Sequence, residues 1–240
     1  MSEIRKRYIF RLVGRCLILI ACALAAVLRP ETFEVLEGTA FFEGFSLLHL
    51  LWLVWVADMV LQIIPIKNEV PLGSQKLWAN RFQPIKDKIN YESLRSYIIS
   101  TTKAAYKVMV LWILLVGVIG LLYYVGILGK IGLFLITVTF YVCDLICVLI
   151  WCPFRLLMKN RCCTTCRIFN WDHLMMFSPL IFMGGFYAVS LVVLAVLAWL
   201  VWELCVMMYP ERFWERSNAA LKCSACTDKL CTQYCQKLRK

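Results

Sequence analysis

Five apolar blocks, each close to the length of a membrane-spanning helix, constrain the fold of this chain more than any other feature. A bilayer core about 30 Å thick requires roughly 20 apolar residues in a helix. The blocks predict an all-α, polytopic integral membrane helical bundle with about five transmembrane helices over residues 1–207, followed by a cysteine-rich C-terminal tail over 208–240. The predicted spans are residues 12–28, 44–64, 108–126, 131–151 and 179–202.

Composition agrees with a membrane protein and excludes a water-soluble globule. Hydrophobic residues make up 62% of the chain and charged residues only 17%, whereas soluble domains average about 45–50% and about 25%. The net charge of +11 does not indicate a nucleic-acid partner, because lysines and arginines in the loops orient a membrane protein. The partner that the composition predicts is the lipid bilayer.

The distribution of basic residues favours a multi-pass protein of the cell membrane with a cytoplasmic N-terminus. With five crossings, sixteen of the 26 lysines and arginines lie on the N-terminal side and nine on the other. Seven of those nine belong to the tail, which five crossings place opposite the N-terminus. The basic tail therefore disagrees with this topology, because five crossings place it on the side where few basic residues are expected.

The sequence predicts the structure of two of the connections between spans. The stretch GILGK, residues 126–130, contains two glycines and predicts a tight turn between the third and fourth spans. The loop 66–107 is the largest polar connection, and its second half has apolar residues at helical spacing. We expect that half to form an amphipathic helix on the inner membrane surface before the third span.

Most of the thirteen cysteines fall into groups at span ends. One group and a following histidine lie near the end of the fourth span: Cys152, Cys162, Cys163, Cys166 and His173. The C-x-x-C pair lets two thiolates reach one ion, as in zinc and iron–sulfur sites, and also suits a dithiol–disulfide couple. The interpretations are metal or cluster binding, thiol redox chemistry, or small buried side chains without a role.

The tail carries the more specific pattern, with four sulfurs in a C-x2-C-x4-C-x3-C arrangement. Its members are Cys223, Cys226, Cys231 and Cys235. Four such sulfurs complete a tetrahedral zinc site or hold one iron–sulfur cluster. In an oxidising compartment, two disulfides are the alternative. A tail on the same face as the first group would allow a joint site.

Two carboxylates, Asp58 and Asp144, lie within the second and fourth spans at similar predicted depth. Ionised carboxylates inside a bilayer are costly, so such residues are functional candidates as proton relays or cation ligands. The alternative is a protonated or hydrogen-bonded carboxyl with a structural role. We expect the two side chains to face each other or a shared polar partner.

These patterns leave three hypotheses for function. The first is a membrane protein with zinc or iron–sulfur segments that transfers electrons, and its partner is a membrane redox protein or, in a homo-oligomer, a second copy of the chain. The second is a membrane thiol–disulfide oxidoreductase that uses Cys163 and Cys166. The third is a transporter or channel subunit that uses Asp58 and Asp144. A Cys–His–Asp hydrolase has little support, because Cys166, Asp172 and His173 share one loop without fixed geometry.

Overall fold

The protein is a bundle of apolar helices. A computed structural model describes residues 3–64, 71–85, 89–160, 162–226 and 230. The five long helices are α1 (Glu3–Leu28), α2 (Leu47–Ile63), α3 (Tyr91–Tyr124), α4 (Lys130–Leu149) and α5 (Gly185–Met208). Four of them, all but α2, are long and apolar enough to cross a membrane, and α2 is an apolar helix of 17 residues. The predicted all-α membrane bundle is confirmed.

Helix α3 joins two parts that the sequence analysis separated. It runs for 34 residues without a break and begins at Asn90, whose side chain accepts a hydrogen bond of 3.0 Å from the backbone N–H of Ser93. The expected surface helix is therefore the first half of the third span. The chain contains no proline or glycine from Tyr91 to Val116, so nothing in the backbone ends the helix between the two parts.

The fifth apolar block is broken, which differs from the single long helix expected. A short α-helix, Asp172–Phe177, continues as the 3-10 helix Ser178–Phe182. Gly184 and Gly185 follow with φ of 67° and 77°, and α5 then begins. Positive φ is accessible to glycine without the Cβ penalty of other residues, so this pair allows the chain to reverse direction.

The helical segment 172–182 crosses the bundle as a short additional passage. Its first residue, Asp172, accepts a hydrogen bond from Gln62 at the end of α2. Its last residue, Phe182, packs on Gly120 near the other end of the bundle, so closely that a Cβ at Gly120 would collide with the ring. Buried neighbours shield this irregular backbone from lipid, which is the condition for such backbone at membrane depth.

The connections between helices therefore lie at two opposite ends of the bundle, called faces here, which differ in their cysteines and basic residues. The cysteine face is defined here by the start of α1 and by residues 71–85, 152–160, 162–171 and 209–226, and the opposite face by residues 29–46, 125–129 and 183–184. Among the described residues, the connections of the opposite face contain one basic residue, Arg29, and a second, Lys130, begins α4 beside them.

The tail lies on the cysteine face, so the expectation that it lies opposite the N-terminus is wrong. The Arg212 guanidinium donates to the Leu77 carbonyl at 2.7 Å, and the Ala219 N–H donates to the Gln83 carbonyl at 2.8 Å. Leu230 packs beside Tyr8 near the start of α1. The passage 172–182 explains the difference. It is a sixth passage through the bundle, although its eleven residues are too few to span a bilayer alone, and α5 then returns the chain to the face where α1 begins.

Candidate functional site: a thiol-lined cavity

A cavity of about 300 Å³ occupies the half of the bundle next to the cysteine face. Arg15 lies at the deep end of the cavity, about 18 Å along α1 from the first residue of that helix by helical rise. The cavity reaches the cysteine face at Arg155 and Asn160. Five of the cysteines line it: Cys143, Cys147, Cys152, Cys163 and Cys166. Ionisable groups at depth and thiols toward the mouth therefore share one space.

The two carboxylates predicted as intramembrane candidates meet at a shared partner, Arg15. The guanidinium lies 2.8 Å from an Asp144 carboxylate oxygen and 3.7 Å from an Asp58 oxygen. It also donates to the Tyr141 carbonyl at 2.6 Å and stacks 3.7 Å from the centre of the Tyr141 ring. One guanidinium therefore serves both carboxylates, and its single positive charge balances one of the two negative charges. Their use in transport stays a prediction.

Asp172 and His173 form a second polar pair at the start of the passage. One Asp172 oxygen lies 3.2 Å from His173 Nδ1, and the other accepts a hydrogen bond of 2.9 Å from Gln62. His173 Nε2 and Gln62 Oε1 are buried and have no hydrogen-bond partner among the described residues. Both residues line the cavity. Two unsatisfied polar atoms, one on His173 and one on Gln62, therefore lie in the same region of the cavity lining.

Cys147 and Cys152 lie near each other because α4 ends between them. The helix stops at Leu149, and Pro153 precedes the next short helix, Phe154–Met158. The chain bends there, and the two thiols come close enough to influence each other's ionisation. A thiol whose neighbour stabilises its thiolate is poised as the nucleophile of a reactive pair.

The surroundings of Cys152 favour its thiolate form. The interaction with Cys147 lowers the pKa of Cys152 to about 7, and the backbone N–H groups of Arg155 and Phe154 act in the same direction. Burial opposes this shift but does not reverse it. An ordinary cysteine has a pKa of about 8.5. A lowered pKa raises the thiolate fraction of Cys152 near neutral pH, and the thiolate is the nucleophilic form.

The C-x-x-C loop has the opposite character. Burial raises the pKa of Cys163 and that of Cys166. A fully buried lysine, Lys76, secures this loop by donating to the carbonyls of Thr164 at 2.9 Å and Cys166 at 2.8 Å. Burial lowers the pKa of Lys76 to about 7. The loop therefore holds protonated thiols in a fixed arrangement.

An ion pair anchors this loop to the end of α5. Arg167 makes a two-pronged contact with Glu203, whose carboxylate also accepts a hydrogen bond of 2.8 Å from the Trp171 indole. Glu203 therefore lies at the cysteine face, near the end of α5. The bidentate geometry fixes the loop against the bundle.

The structure brings part of the predicted metal group to the cavity and leaves part aside. Cys152, Cys163 and Cys166 line the cavity with His173, whereas Cys162 does not. Within the described ranges, no three histidine, cysteine or acidic side chains converge as a metal-ligand set. In the tail, Cys223 and Cys226 lie on the cysteine face, while Cys231 and Cys235 lie outside the described residues. Zinc or iron–sulfur binding by the tail stays a prediction.

Sequence reasoning did not assign a role to several residues of the site. Cys147 lies three residues after Asp144, and Arg15 lies near the start of the first predicted span, but neither was singled out. The available signal for Cys147 was its position five residues before Cys152 with Pro153 beyond, where the end of a helix lets i and i+5 side chains meet. Lys76 and Gln62 gave no signal, since their partners are distant in sequence.

Alkylation of Cys152 by iodoacetamide is expected to accelerate with pH through a midpoint at about 7, because the thiolate is the nucleophile. Cys163 is expected to react slowly across the same range, since burial raises its pKa. In Cys147→Ala, the midpoint for Cys152 is expected to move up toward about 8.5, because the interaction that lowers its pKa is lost. Mass spectrometry of the labelled peptides measures both rates. An unchanged midpoint in the variant would contradict the assigned contact.

The fold and the cavity define a multi-pass helical membrane protein with a thiol-lined cavity reaching one face. Comparison with protein-family models, with characterised proteins and with solved structures gives no match for this chain. Its function is therefore inferred from the chemistry of the cavity itself.

Proposed function

We propose that this protein is a membrane thiol–disulfide oxidoreductase whose redox pair is Cys147 and Cys152, in place of the C-x-x-C pair predicted from sequence. The observation that carries the proposal is that both cysteines line one cavity at the end of α4, close enough to perturb each other's ionisation. A disulfide between them requires the two sulfurs to approach the S–S bond length of about 2.05 Å.

The lining of the cavity favours an electron acceptor of the quinone class. Trp112, Phe140 and Phe154 provide aromatic surface next to the thiols. A volume of about 300 Å³ is at the lower end for small-molecule sites, which are mostly apolar with a few placed polar groups. A quinone is a flat, lipid-soluble ring that accepts two electrons and two protons, and its location in the bilayer matches that of the cavity.

The reaction balances for this pair. The Cys152 thiolate and the Cys147 thiol form one disulfide bond and lose two electrons and one proton. The quinone gains both electrons and becomes a quinol with two protons, one from Cys147 and one from a further donor. A dithiol substrate at the cysteine face then reduces the disulfide by thiol–disulfide exchange, in which a thiolate attacks one sulfur and displaces the other.

The test is quinone reduction by purified protein in lipid nanodiscs, with dithiothreitol as reductant and a short-chain benzoquinone as acceptor. Cys147→Ser and Cys152→Ser are each expected to lower the protein-dependent rate by about 10²-fold or more, because either change removes covalent catalysis. Cys205→Ser, which removes a thiol that does not line the cavity, is the matched control and is expected to retain the rate.

Two results would overturn the proposal. One is an equal rate in the wild type and in both serine variants. The other is stoichiometric zinc or iron in the purified protein that is lost in Cys152→Ser, because the thiols would then be metal ligands. Metal retained by both variants, together with loss of quinone reduction, supports the redox pair and assigns the metal elsewhere.

A further inference from the structure

The unsatisfied polar atoms at the start of the short passage form a place where a ring carbonyl can bind. His173 is only 3% exposed, and its Nε2 and the Oε1 of Gln62 lack partners in the described structure. Both side chains are held by the same carboxylate, Asp172, and both line the cavity that contains the thiol pair. Buried polar atoms are normally satisfied, so such a pair needs an explanation.

The tether to Asp172 determines what each of these atoms offers. Asp172 accepts the Nδ1 proton of His173, so Nε2 is the ring atom that faces a ligand. Asp172 also accepts from the Gln62 amide nitrogen, so Gln62 presents its carbonyl oxygen. Nε2 of a protonated imidazole donates and Gln62 Oε1 accepts. A quinone needs a donor at its carbonyl, and the quinol product needs an acceptor for its hydroxyl.

The charges around His173 suit a group that carries a proton. Asp172 interacts with the ring most strongly, and Asp58 and Asp144 also interact with it electrostatically. Arg15 contacts Asp58 and Asp144 and supplies one positive charge for the two carboxylates, while the Gln62 amide that holds Asp172 is neutral. The carboxylate beside the ring thus supports a transient imidazolium.

We propose that His173, held by Asp172, is the proton donor of the acceptor site and, with Gln62, binds the oxygen of a quinone ring. This inference rests on the proposed function. His173 supplies the further proton of the reaction: its Nε2–H bond breaks as an O–H bond forms on the reduced ring. The Cys147 thiol provides the other proton, so the imidazolium and the thiolate are both neutral after the step.

The test separates binding and proton transfer from thiol chemistry. In nanodiscs, His173→Ala is expected to weaken binding of the short-chain benzoquinone by about tenfold through loss of one hydrogen bond to a charged donor. The rate of quinol formation is expected to fall by about 10²-fold, as for loss of a general acid. Oxidation of Cys147 and Cys152 by diamide, a soluble oxidant, is expected to stay near the wild-type rate.

Two conservative variants guard against a merely structural effect. His173→Gln retains an amide N–H near the Nε2 position and is expected to recover binding but not the rate. Gln62→Leu is expected to weaken quinone binding while diamide oxidation persists. Thermal unfolding of each variant checks that the bundle is intact.

The outcomes distinguish the two proposals. Unchanged quinone affinity and rate in His173→Ala, alongside loss of rate in Cys147→Ser, would overturn the His173 assignment alone. Equal loss of quinone reduction and of diamide oxidation in His173→Ala would also overturn it, since the effect would then be on the fold. If the serine variants of the thiols keep full quinone reduction, the redox proposal itself fails, whatever His173 does.

Discussion

Arg15→Met is expected to lower the free energy of unfolding by about 3–5 kcal/mol, the range for breaking a buried ion pair by removing one partner. The Asp144 and Asp58 side chains are only 19% and 22% exposed, so the change leaves two carboxylates in the bundle without their cation. Arg15 also covers the Tyr141 ring, and that packing is lost as well. The expected result is a large drop in the thermal unfolding midpoint in nanodiscs.

A matched control and a rescue variant separate loss of the buried ion pair from the general effect of replacing an arginine. Arg29→Met removes a solvent-exposed arginine on the opposite face and is expected to change stability little. Adding Asp58→Asn and Asp144→Asn to Arg15→Met is expected to restore much of the loss, because neutral amides need no countercharge. Equal unfolding midpoints for Arg15→Met and Arg29→Met would contradict the assigned ion-pair cluster.

The second large effect concerns the side of the tail. A membrane-impermeant maleimide is expected to label Cys223 in inside-out vesicles and not in intact cells, because positively charged connections orient toward the cytoplasm. A cysteine introduced at Glu43, on the opposite face, is expected to show the reverse pattern. The difference is all-or-none, since the two positions are exposed on opposite faces.

Single-cysteine versions of the chain keep this measurement clean. Cys223 is retained in one version, and Glu43→Cys is introduced into another that carries serine at the native cysteines. Labelling of both positions in intact cells would contradict the sixth crossing by the passage 172–182. Labelling of Cys223 only in intact cells, with Glu43→Cys only in inside-out vesicles, would reverse the orientation but keep the two faces separate.

The long helices were predictable because their apolar runs exceed what a soluble core requires. Helices α3 and α4 are joined at the turn that the glycines of GILGK predict. The passage 172–182 was not predictable by length, since eleven residues are too few for a recognisable span. Its signals were local: Pro179 and the pair Gly184–Gly185, which interrupt a run that otherwise looks continuous.

Most of the residue types at the site were predictable from the sequence, but which side chains meet one another was not. Depth along the helices placed Asp58 and Asp144 at one level, whereas their meeting through Arg15 depends on which faces of α1, α2 and α4 pack together. Sequence spacing drew attention to Cys163 and Cys166. The contact that distinguishes Cys152 arises from the helix end between it and Cys147, and helix ends are the least certain feature of a sequence-based prediction.

The broken fifth block also has a consequence for how the chain enters the bilayer during synthesis. A segment of eleven residues that begins with Asp172 and His173 is a weak insertion signal for the translocon. Its partner α5 follows after only two residues, Met183 and Gly184, and has 24 apolar-rich residues of its own. The two therefore insert as one hairpin, late in translation, into a space that the earlier helices have already shaped.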